Sequence, residues 1–322
     1  QARLYMRGLR SLIGDDPAMR DVQITVADGG STDGTQDIVQ RLAAEFPNVA
    51  LIGNPARLQA AAINRVAADC AQSDHQVLVR CDAHSVYPPG YVLGVARALV
   101  AQQAASVTVP MDAEGAGCFQ RALALITDTK LGSGGSAHRG GARSGWVDHG
   151  HHAGFDLSWY RRLGGYDESF SHNEDAEYDR RLTEAGGRIW MAADLRITIA
   201  PRGTPMALAR QYWRYGRGRA RTVLKHRMRP RLRQMIPVGH VLALGTSAIL
   251  LAVHPIGWLY PAAYGALALG ASLWSATRIG LCGLWAGVAV AVMHTAWGAG
   301  FLAQAMRGPG PTRETPPIAK PS

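Results

Sequence analysis

Residues 22–35 read VQITVADGGSTDGT and join a β-branched run to a polar, glycine-rich turn. The run Val22–Ala27 predicts a strand, because β-branched residues favour extended backbone. The glycines allow a sharp turn, and any of the polar residues at 31–33 can cap a helix that follows. The stretch therefore predicts a strand, a tight turn and a helix in succession, with Asp28 at the carboxyl end of the strand.

The same alternation continues along the first third of the chain. Further strands are predicted at Val49–Ile52, Gln76–Cys81 and Ser106–Val109, and helices at Gly34–Phe46, Arg57–Asp69 and Pro89–Gln103. This spacing predicts an α/β domain with a mostly parallel sheet and helices on both faces. Ligands of such sheets bind beyond the carboxyl ends of the strands, where Asp28 and Asp82 lie.

Composition excludes a disordered chain and divides the sequence into two parts. The 322 residues carry a net charge of +10, with 47% hydrophobic and only 18% charged residues. Residues 1–194 hold 23 acidic and 18 basic residues, whereas residues 195–322 hold 1 acidic and 16 basic residues. The four cysteines form no C-x-x-C pair, so neither a metal cluster nor a disulfide framework is expected.

The C-terminal part is typical of membrane helices. Between Pro237 and Met306 the only formally charged residue is Arg278. Three apolar blocks occur there, Val238–Val253, Gly257–Thr277 and Gly280–Ala303, and the last two are long enough to cross a hydrocarbon core of about 30 Å. The alternative is a buried helical core, which the lack of any acidic residue disfavours. Residues 237–306 are therefore predicted to form two to three membrane helices.

A basic segment at residues 201–236 precedes these blocks. Its stripe of cations has helical spacing and consists of Arg210, Arg214, Arg217, Arg221 and Lys225. Such a helix beside a membrane span predicts an interfacial segment on an anionic leaflet. Nucleic acid is the rival partner, but no RNA- or DNA-binding module is recognisable.

The charge distribution also predicts orientation. The positive-inside rule places the basic segment, and the domain of residues 1–200 before it, on the cytoplasmic face of a bacterial inner membrane. An odd number of spans would put Arg307 outside, so the number of spans stays open. Residues 307–322 are predicted to be a disordered tail.

Three later motifs accompany the turn at residues 28–35. Residues 82–84 read DAH, residues 164–175 read GGYDESFSHNED, and residues 211–215 read QYWRY. Each motif has a purely structural alternative, namely a turn, a capped helix start and a basic helix face. Together with the turn they resemble family 2 glycosyltransferases, which have the GT-A fold.

The resemblance implies a donor site at the strand ends. In that family the first Asp of the turn contacts the nucleotide base, which here is Asp28, and Ser31, Asp33 and Asp82 are expected beside it. A D-x-D motif there binds ribose, diphosphate and a divalent cation, whereas this chain has His84 in place of the second Asp. Histidine suits Mn²⁺ better than Mg²⁺, so the identity of the metal ion is left open.

Three histidines at 149, 151 and 152 lie between the donor and acceptor segments. Alternatively, the three histidines only belong to a polar turn and bind nothing. Of the three, His152 is the one we expect to contact the metal ion or the diphosphate. The Gly/Ser-rich stretch at residues 131–141 is expected to form a mobile loop over the site.

The resemblance also implies a catalytic base. It assigns Asp175 this role, with Glu174 beside it, because inverting transfer needs a carboxylate to take the proton of the attacking hydroxyl. The adjacent negative charge is expected to raise the pKa of the base. Ser171 and Glu174 have the spacing of a capping box, which predicts a helix starting near residue 171.

The motif at residues 211–215 is similar to the Q-x-x-R-W motif of membrane-associated members of the family. It implies that Gln211 and Arg214 touch the diphosphate or the acceptor. Tyr215 replaces the Trp, so a processive synthase activity is not expected. Arg214 also belongs to the basic stripe, and membrane contact is its alternative role.

The resemblance implies transfer of a hexose, expected to be glucose from UDP-glucose, to a lipid-diphosphate-linked oligosaccharide in exopolysaccharide synthesis. Alternatives are a non-catalytic GT-A subunit at the membrane and a sugar-phosphate nucleotidyltransferase. Family members begin with a strand ending in P-x-x-N-E, before the helix predicted here at about residues 2–13. That strand is absent from the sequence, so the chain is expected to be truncated at its N-terminus.

Overall fold

The computed structural model describes residues 9–13, 16–83, 85–134 and 143–310. The chain divides into a first unit, Gln1–Met111, Gly141–Ile199 and Arg313–Ser322, and a second unit, Asp112–Gly140 and Ala200–Thr312. The predictions for His84, most of the Gly/Ser-rich loop, most of the first helix and most of the C-terminal tail lie outside the described residues.

The strands alternate with helices along the first unit, as the sequence predicts. In chain order the strands are β1 (Ile24–Asp28), β2 (Val49–Gly53), β3 (Val77–Val79), β4 (Ser85–Val86), β5 (Ser106–Val109), β6 (Met111–Ala113), β7 (Gly145–Val147), β8 (His151–Asp156), β9 (Ile189–Met191) and β10 (Ile197–Ile199). The helices are α1 (Thr35–Glu45), α2 (Gln59–Arg65), α3 (Tyr91–Gln102), α4 (Cys118–Thr127), α5 (Lys130–Ser133), α6 (Leu157–Arg162), α7 (Glu174–Glu184), α8 (Pro205–Lys225), α9 (Leu232–Leu251), α10 (Leu259–Ile279) and α11 (Trp285–Arg307).

The predicted α/β class is confirmed, but the sheet is mixed rather than mostly parallel. β1 pairs in parallel with β2. In the five-stranded sheet, ordered β3-β8-β5-β9-β7, the β5–β9 pairing is parallel and the other three pairings are antiparallel. The cause is β8, which the sequence did not predict as a strand and which enters between β3 and β5 in the opposite direction.

A cavity of about 740 Å³ lies between β1 and β3. It runs along the length of both strands, and Ile24–Ala27 of β1 and all of β3 line it. It also reaches Gly29 and Gly30 after β1 and Asp82 after β3, at the edge where α/β sheets bind ligands.

An aromatic cluster holds α7 against the sheet. Tyr178 of α7 packs on Phe155 of β8, with ring centroids 5.4 Å apart, and on Tyr160 and Tyr166 at 5.4 and 5.5 Å. All four rings are fully buried. Because such rings contribute large apolar areas, this cluster anchors α7 on the sheet. The first turn of α7 carries three acidic residues, Glu174, Asp175 and Glu177.

The second unit is helical. α4 packs on α11, where the rings of Phe119 and Trp285 meet edge to face at 5.7 Å. Cys118 and Cys282 form a disulfide with their Cα atoms 4.6 Å apart. The sequence carries no sign that these two cysteines meet, because 164 residues separate them.

Two helical stretches of the second unit are long and apolar enough, by length and composition alone, to cross a membrane. They are Leu232–Leu251 and Pro255–Arg307. The second stretch comprises α10 and α11, which are separated by a 3-10 turn at Gly280–Leu284. The three predicted apolar blocks thus correspond to α9, α10 and α11.

Candidate active site

The turn after β1 is built around the Asp28 carboxylate. Its Oδ2 atom accepts hydrogen bonds from the amides of Gly30 at 2.9 Å and Ser31 at 3.0 Å, and from Gln36 Nε2 at 2.7 Å. Burial acts to raise the pKa of Asp28, but the hydrogen bonds from Ser31 and Gln36 outweigh it and lower the pKa to about 2. Asp28 is therefore ionised and held in place by the turn, whose residues Gly29, Gly30 and Ser31 line the cavity.

Two glycines of this turn have left-handed backbone, at Gly30 (φ 89°) and Gly34 (φ 84°). Other residues rarely adopt this conformation, which explains the D-G-G-S-T-D-G pattern. Ser31 lines the cavity beside Asp28. Asp33 instead serves the start of α1, where its Oδ1 atom accepts from Thr35 Oγ1 at 2.6 Å. Contact of Asp33 with a donor stays a prediction.

Asp82 follows β3 and lies at the other side of the cavity. Its Oδ1 atom accepts hydrogen bonds from Gln59 Nε2 at 2.5 Å and Arg80 Nε at 3.1 Å. Its Oδ2 atom lies 3.8 Å from His151 Nε2. One oxygen of this carboxylate is thus oriented by protein donors, while the other lies next to a histidine.

The buried Arg80 guanidinium connects the donor side of the site to the acidic helix start. Besides Asp82, its Nη1 atom contacts Tyr166 Oη at 3.0 Å and Glu174 Oε1 at 3.9 Å. Both the Arg80 and the Glu174 side chains are almost completely buried. Because a buried cation must be paired, Arg80 fixes Asp82 and Glu174 at the two ends of one ion-pair network.

Glu174 and Asp175 are the first two residues of α7. The residue before them, Asn173, has left-handed backbone (φ 68°) and makes no side-chain cap. The capping box expected from Ser171 is therefore absent, because the chain turns at Asn173 and the helix starts three residues later than predicted. The helix dipole favours carboxylates in this first turn.

The two carboxylates differ in charge behaviour. Burial and the charge of Asp175 raise the pKa of Glu174. Burial acts to raise the pKa of Asp175, but electrostatic interactions with His149, His152 and Arg80 outweigh it and lower the pKa to about 2. The expectation that the neighbouring charge raises the pKa of the base is thus wrong for Asp175. The neighbouring negative charge instead raises the pKa of Glu174, since Asp175 interacts with His149, His152 and Arg80.

His152 is not placed to bind a metal ion. It is fully buried, its Nδ1 atom lies 2.6 Å from Tyr166 Oη and its Nε2 atom 2.7 Å from Asp179 Oδ1. Both ring nitrogens are therefore engaged within the protein. The second oxygen of Asp179 contacts His149 Nδ1 at 2.6 Å, so two of the three histidines lie on one buried carboxylate.

His151 is the histidine that reaches the donor side. On a strand, neighbouring side chains point to opposite faces, so His151 faces Asp82 while His152 faces the core. Burial lowers the pKa of His151 to about 4, against the opposing effect of the nearby Asp82 carboxylate. The alternation of β8 therefore decides which histidine is available to a ligand.

Asp82 Oδ2 and His151 Nε2 fit two positions around one divalent cation, since carboxylate and imidazole both bind Mn²⁺. Asp82 Oδ1 is held by two donors, which is typical of a metal-binding carboxylate oriented by its neighbours. Within residues 9–13, 16–83, 85–134 and 143–310, no group of three or more His, Cys, Asp or Glu residues has metal-binding geometry. Further ligands would come from the donor diphosphate.

Gln211 and Arg214 lie on α8 of the second unit. Gln211 Nε2 donates to Tyr215 Oη at 2.8 Å, and Arg214 and Tyr215 are exposed. The Tyr that replaces the Trp of the motif thus contacts the Gln of the same motif. The roles of Gln211 and Arg214 toward diphosphate and acceptor stay predictions.

Sequence reasoning missed three residues of this site, Arg57, Gln59 and Arg80, and preferred His152 to His151 among the three histidines. Arg57 lines the cavity, and a Cβ atom at Gly30 would lie 3.5 Å from its Nη2 atom. A signal existed for Arg80, which is a cation at the end of an apolar strand two residues before Asp82. The sequence carries no such signal for Arg57, which lies in the loop before α2, or for Gln59, which is the first residue of α2.

Comparison with known proteins identifies the family of the chain. The family model "Glycosyl transferase family 2" matches residues 7–164. The chain is 45% identical over 283 residues to the succinoglycan biosynthesis protein ExoA of Rhizobium meliloti (strain 1021), an alignment that covers 87% of this chain and 85% of that protein.

Solved structures show the same fold. The mannosyltransferase PcManGT from Pyrobaculum calidifontis, in complex with GDP-Man and Mn²⁺, superposes with a TM-score of 0.55 at 21% identity, over 91% of this chain and 84% of that one. GalNAc-T7 with UDP, GalNAc and Mn²⁺ gives 0.50 at 14% identity, over 68% and 45% of the two chains. These likenesses confirm the GT-A fold. The chain therefore belongs to glycosyl transferase family 2 and is a glycosyltransferase.

Proposed function

We propose that this glycosyltransferase is anchored to the cytoplasmic face of a bacterial inner membrane and transfers glucose from UDP-glucose to a lipid-diphosphate-linked oligosaccharide, with inversion. The name of its 45% identical relative supports a role in exopolysaccharide synthesis. The observation that carries the proposal is the Arg80 network, which joins the donor carboxylate Asp82 to Glu174 and thereby to the start of α7.

The donor nucleotide occupies the cavity between β1 and β3. Asp28, ionised and fixed by the turn, accepts hydrogen bonds from the base, and the exposed Ser31 lies beside it. Arg57 lines the same cavity and supplies a cation for a phosphate group. Solved structures of two proteins with this fold hold GDP-Man or UDP, which supports a nucleotide sugar as donor.

A divalent cation, Mn²⁺ or Mg²⁺, would be held by Asp82 and His151. When bound, it neutralises charge on the leaving diphosphate. The two fold relatives were solved with Mn²⁺, which supports this requirement. Gln59 and Arg80 hold Asp82 Oδ1, and Asp82 Oδ2 lies 3.8 Å from His151 Nε2.

Asp175 acts as the base. An acceptor hydroxyl oxygen attacks the anomeric carbon, its proton passes to Asp175, and the bond from that carbon to the diphosphate oxygen breaks. The electron pair leaves with UDP, so the α-linked donor yields a β-linked product. The lowered pKa keeps Asp175 ionised and ready to accept the proton at neutral pH. Glu174, paired with Arg80, positions the helix start.

The acceptor is proposed to be lipid-linked because the second unit combines apolar helices with a basic helix. α9 and the stretch Pro255–Arg307 have the length and composition of membrane helices. The arginines of α8, Arg214 among them, suit anionic lipid and diphosphate groups. This arrangement supports a reaction at the membrane surface.

UDP release tests the proposal. The full chain is supplied with lipid-diphosphate-linked saccharides and with UDP-glucose, UDP-GalNAc or GDP-mannose, with Mn²⁺, Mg²⁺ or EDTA. We expect nucleotide release chiefly from UDP-glucose, dependent on both the saccharide and the metal ion. Preference for another donor would contradict the assignment of glucose. Full activity in EDTA would contradict the role of the metal ion.

A further inference from the structure

Tyr166 places a single hydroxyl group between the two sides of the site. Its Oη atom lies 3.0 Å from Arg80 Nη1 and 2.6 Å from His152 Nδ1. Because arginine can only donate, Oη accepts from Arg80, and the hydroxyl proton is left for His152. Burial raises the pKa of Tyr166 well above its ordinary value, so the hydroxyl keeps this proton. One oxygen atom is thus bonded to both neighbours.

Each neighbour leads to a different carboxylate of the site. Arg80 Nε donates to Asp82 Oδ1 at 3.1 Å, on the donor side. His152 Nε2 lies 2.7 Å from Asp179 Oδ1, and Asp179 comes one helical turn after Asp175 on the same face of α7. Four contacts of 2.6–3.1 Å therefore run from Asp82 through the tyrosine hydroxyl to the helix that carries the proposed base.

The direct contact between the same two sides is looser. Arg80 Nη1 lies 3.9 Å from Glu174 Oε1, which is beyond hydrogen-bond distance. An ion pair of this length attracts without fixing an angle, whereas hydrogen bonds prefer a narrow range of lengths and angles. The contacts through the Tyr166 hydroxyl therefore determine the spacing of the two sides more closely than the ion pair does.

Tyr166 is itself held at its backbone by Asn64 of α2. The Tyr166 amide donates to Asn64 Oδ1 at 2.8 Å, and Asn64 Nδ2 donates to the Tyr166 carbonyl at 2.9 Å. The preceding Gly165 has left-handed backbone (φ 68°), and a Cβ atom there would overlap Asn64 Oδ1. Glycine at this position thus allows Asn64 to reach the Tyr166 backbone. With the side chain only 1% exposed, the hydroxyl is held in one place by packing and by these bonds.

From these contacts we propose that the Tyr166 hydroxyl is a positioning group of the transfer reaction, which sets the spacing between Asp82 on the donor side and the base Asp175. The inference rests on the roles of these two carboxylates in the proposed function. Attack on the anomeric carbon requires reacting atoms that are aligned at about 3–3.5 Å, and a misplacement of about 1 Å can lower the rate about 10²-fold. Without the hydroxyl, Arg80 and His152 each lose a buried partner, and no common atom holds the two sides.

Tyr166→Phe tests this inference, because it removes one oxygen atom and keeps the buried ring. The matched control is Tyr178→Phe. Tyr178 belongs to the same ring cluster, with its centroid 5.5 Å from that of Tyr166, and its hydroxyl meets no hydrogen-bond partner in the part of the chain that the structure describes. The wild-type full chain and both variants are compared by melting temperature, by the Kd for UDP from calorimetry, and by kcat for UDP release from UDP-glucose with a lipid-diphosphate-linked saccharide.

We expect Tyr166→Phe to bind UDP as the wild type does and to lower kcat by about 10- to 100-fold. Tyr178→Phe is expected to keep the wild-type kcat and Kd. Wild-type kcat in Tyr166→Phe, or an equal loss of kcat in Tyr178→Phe, would overturn the inference. A loss of kcat matched by an equal loss of UDP affinity would overturn it as well, because the hydroxyl would then shape the donor pocket.

A purely structural role of the hydroxyl would give a lower melting temperature with an unchanged kcat per folded molecule, which would also overturn the inference. So would a Tyr166→Phe chain that does not fold, because the hydroxyl would then serve the fold alone. Failure of the proposed function is visible separately. If the wild-type chain releases no UDP from UDP-glucose, the choice of donor is wrong, and the three proteins are compared with the donor that the wild type uses.

Discussion

Arg80 Nε lies 3.1 Å from Asp82 Oδ1, and both side chains are more than nine-tenths buried. The same guanidinium reaches Glu174, so one cation serves the carboxylates of two motifs that lie about ninety residues apart in the sequence. Because the charges lie close together in a buried site, the network holds its geometry only while the cation is present.

Arg80→Met is expected to lower the free energy of unfolding by about 3–5 kcal/mol, since removal of one partner leaves buried carboxylates without their cation. Thermal or urea denaturation of the purified chain measures this. The control is Arg10→Met, which breaks the exposed pair with Glu45 and is expected to cost about 0–1 kcal/mol. Equal effects of the two substitutions would contradict the importance of the Arg80 network.

Gly30→Ala is expected to lower stability by about 1–2 kcal/mol, because a side chain is forced into left-handed backbone at φ 89°. The strained turn is also expected to displace the Ser31 amide from Asp28 and to raise the KM for the nucleotide sugar. The control is Gly53→Ala, where a Cβ atom meets nothing within 4 Å. A KM unchanged by Gly30→Ala would show that the turn does not shape the donor site.

Asp28→Asn is expected to lower stability at pH 7 by about 1–3 kcal/mol, since it weakens charge-assisted hydrogen bonds to the turn. The pKa of Asp28 falls from its ordinary 3.8 to about 2 on folding. Its stabilising contribution is therefore complete above pH 4 and is lost as the pH falls toward 2. The difference in unfolding free energy between wild type and variant should shrink over that interval. A difference that stays constant down to pH 2 would contradict the lowered pKa.

His151→Ala and His152→Ala are expected to act differently. Loss of His151 should raise the Mn²⁺ concentration needed for half-maximal activity, because the proposed metal site beside Asp82 would lose one of its two protein ligands. Loss of His152 should instead lower the melting temperature, because Asp179 and Tyr166 lose a buried partner. Manganese titrations of activity and melting curves of both variants distinguish the roles, and a manganese shift in His152→Ala alone would reverse them.

Local patterns predicted the elements that carry the site. The β-branched run at residues 22–27 and the glycines after it suffice to define β1 and its turn, since both effects depend on neighbours in the chain. The positions of Asp28 and Asp82 at strand ends follow from the same patterns. The three apolar blocks likewise correspond to helices α9, α10 and α11.

Long-range contacts were not predictable in the same way. The choice between His151 and His152 depends on β8, whose antiparallel place between β3 and β5 has no local signal. The pKa of Asp175 depends on Arg80 and two histidines that only the fold brings near it. The capping box predicted at Ser171 does not form, because the chain turns at Asn173 in left-handed backbone just before α7.

The measurement that tests the central claim most directly is the rate of UDP release by Asp175→Asn, with Glu184→Gln at the other end of α7 as the matched control. Glu184 pairs with Arg180 on the surface. The account predicts that Asp175→Asn lowers kcat by about 10²–10⁴-fold, the contribution of a general base. It also predicts a nearly unchanged KM for UDP-glucose, and full activity in Glu184→Gln. Wild-type kcat in Asp175→Asn, with the protein folded and the donor bound, would contradict the account.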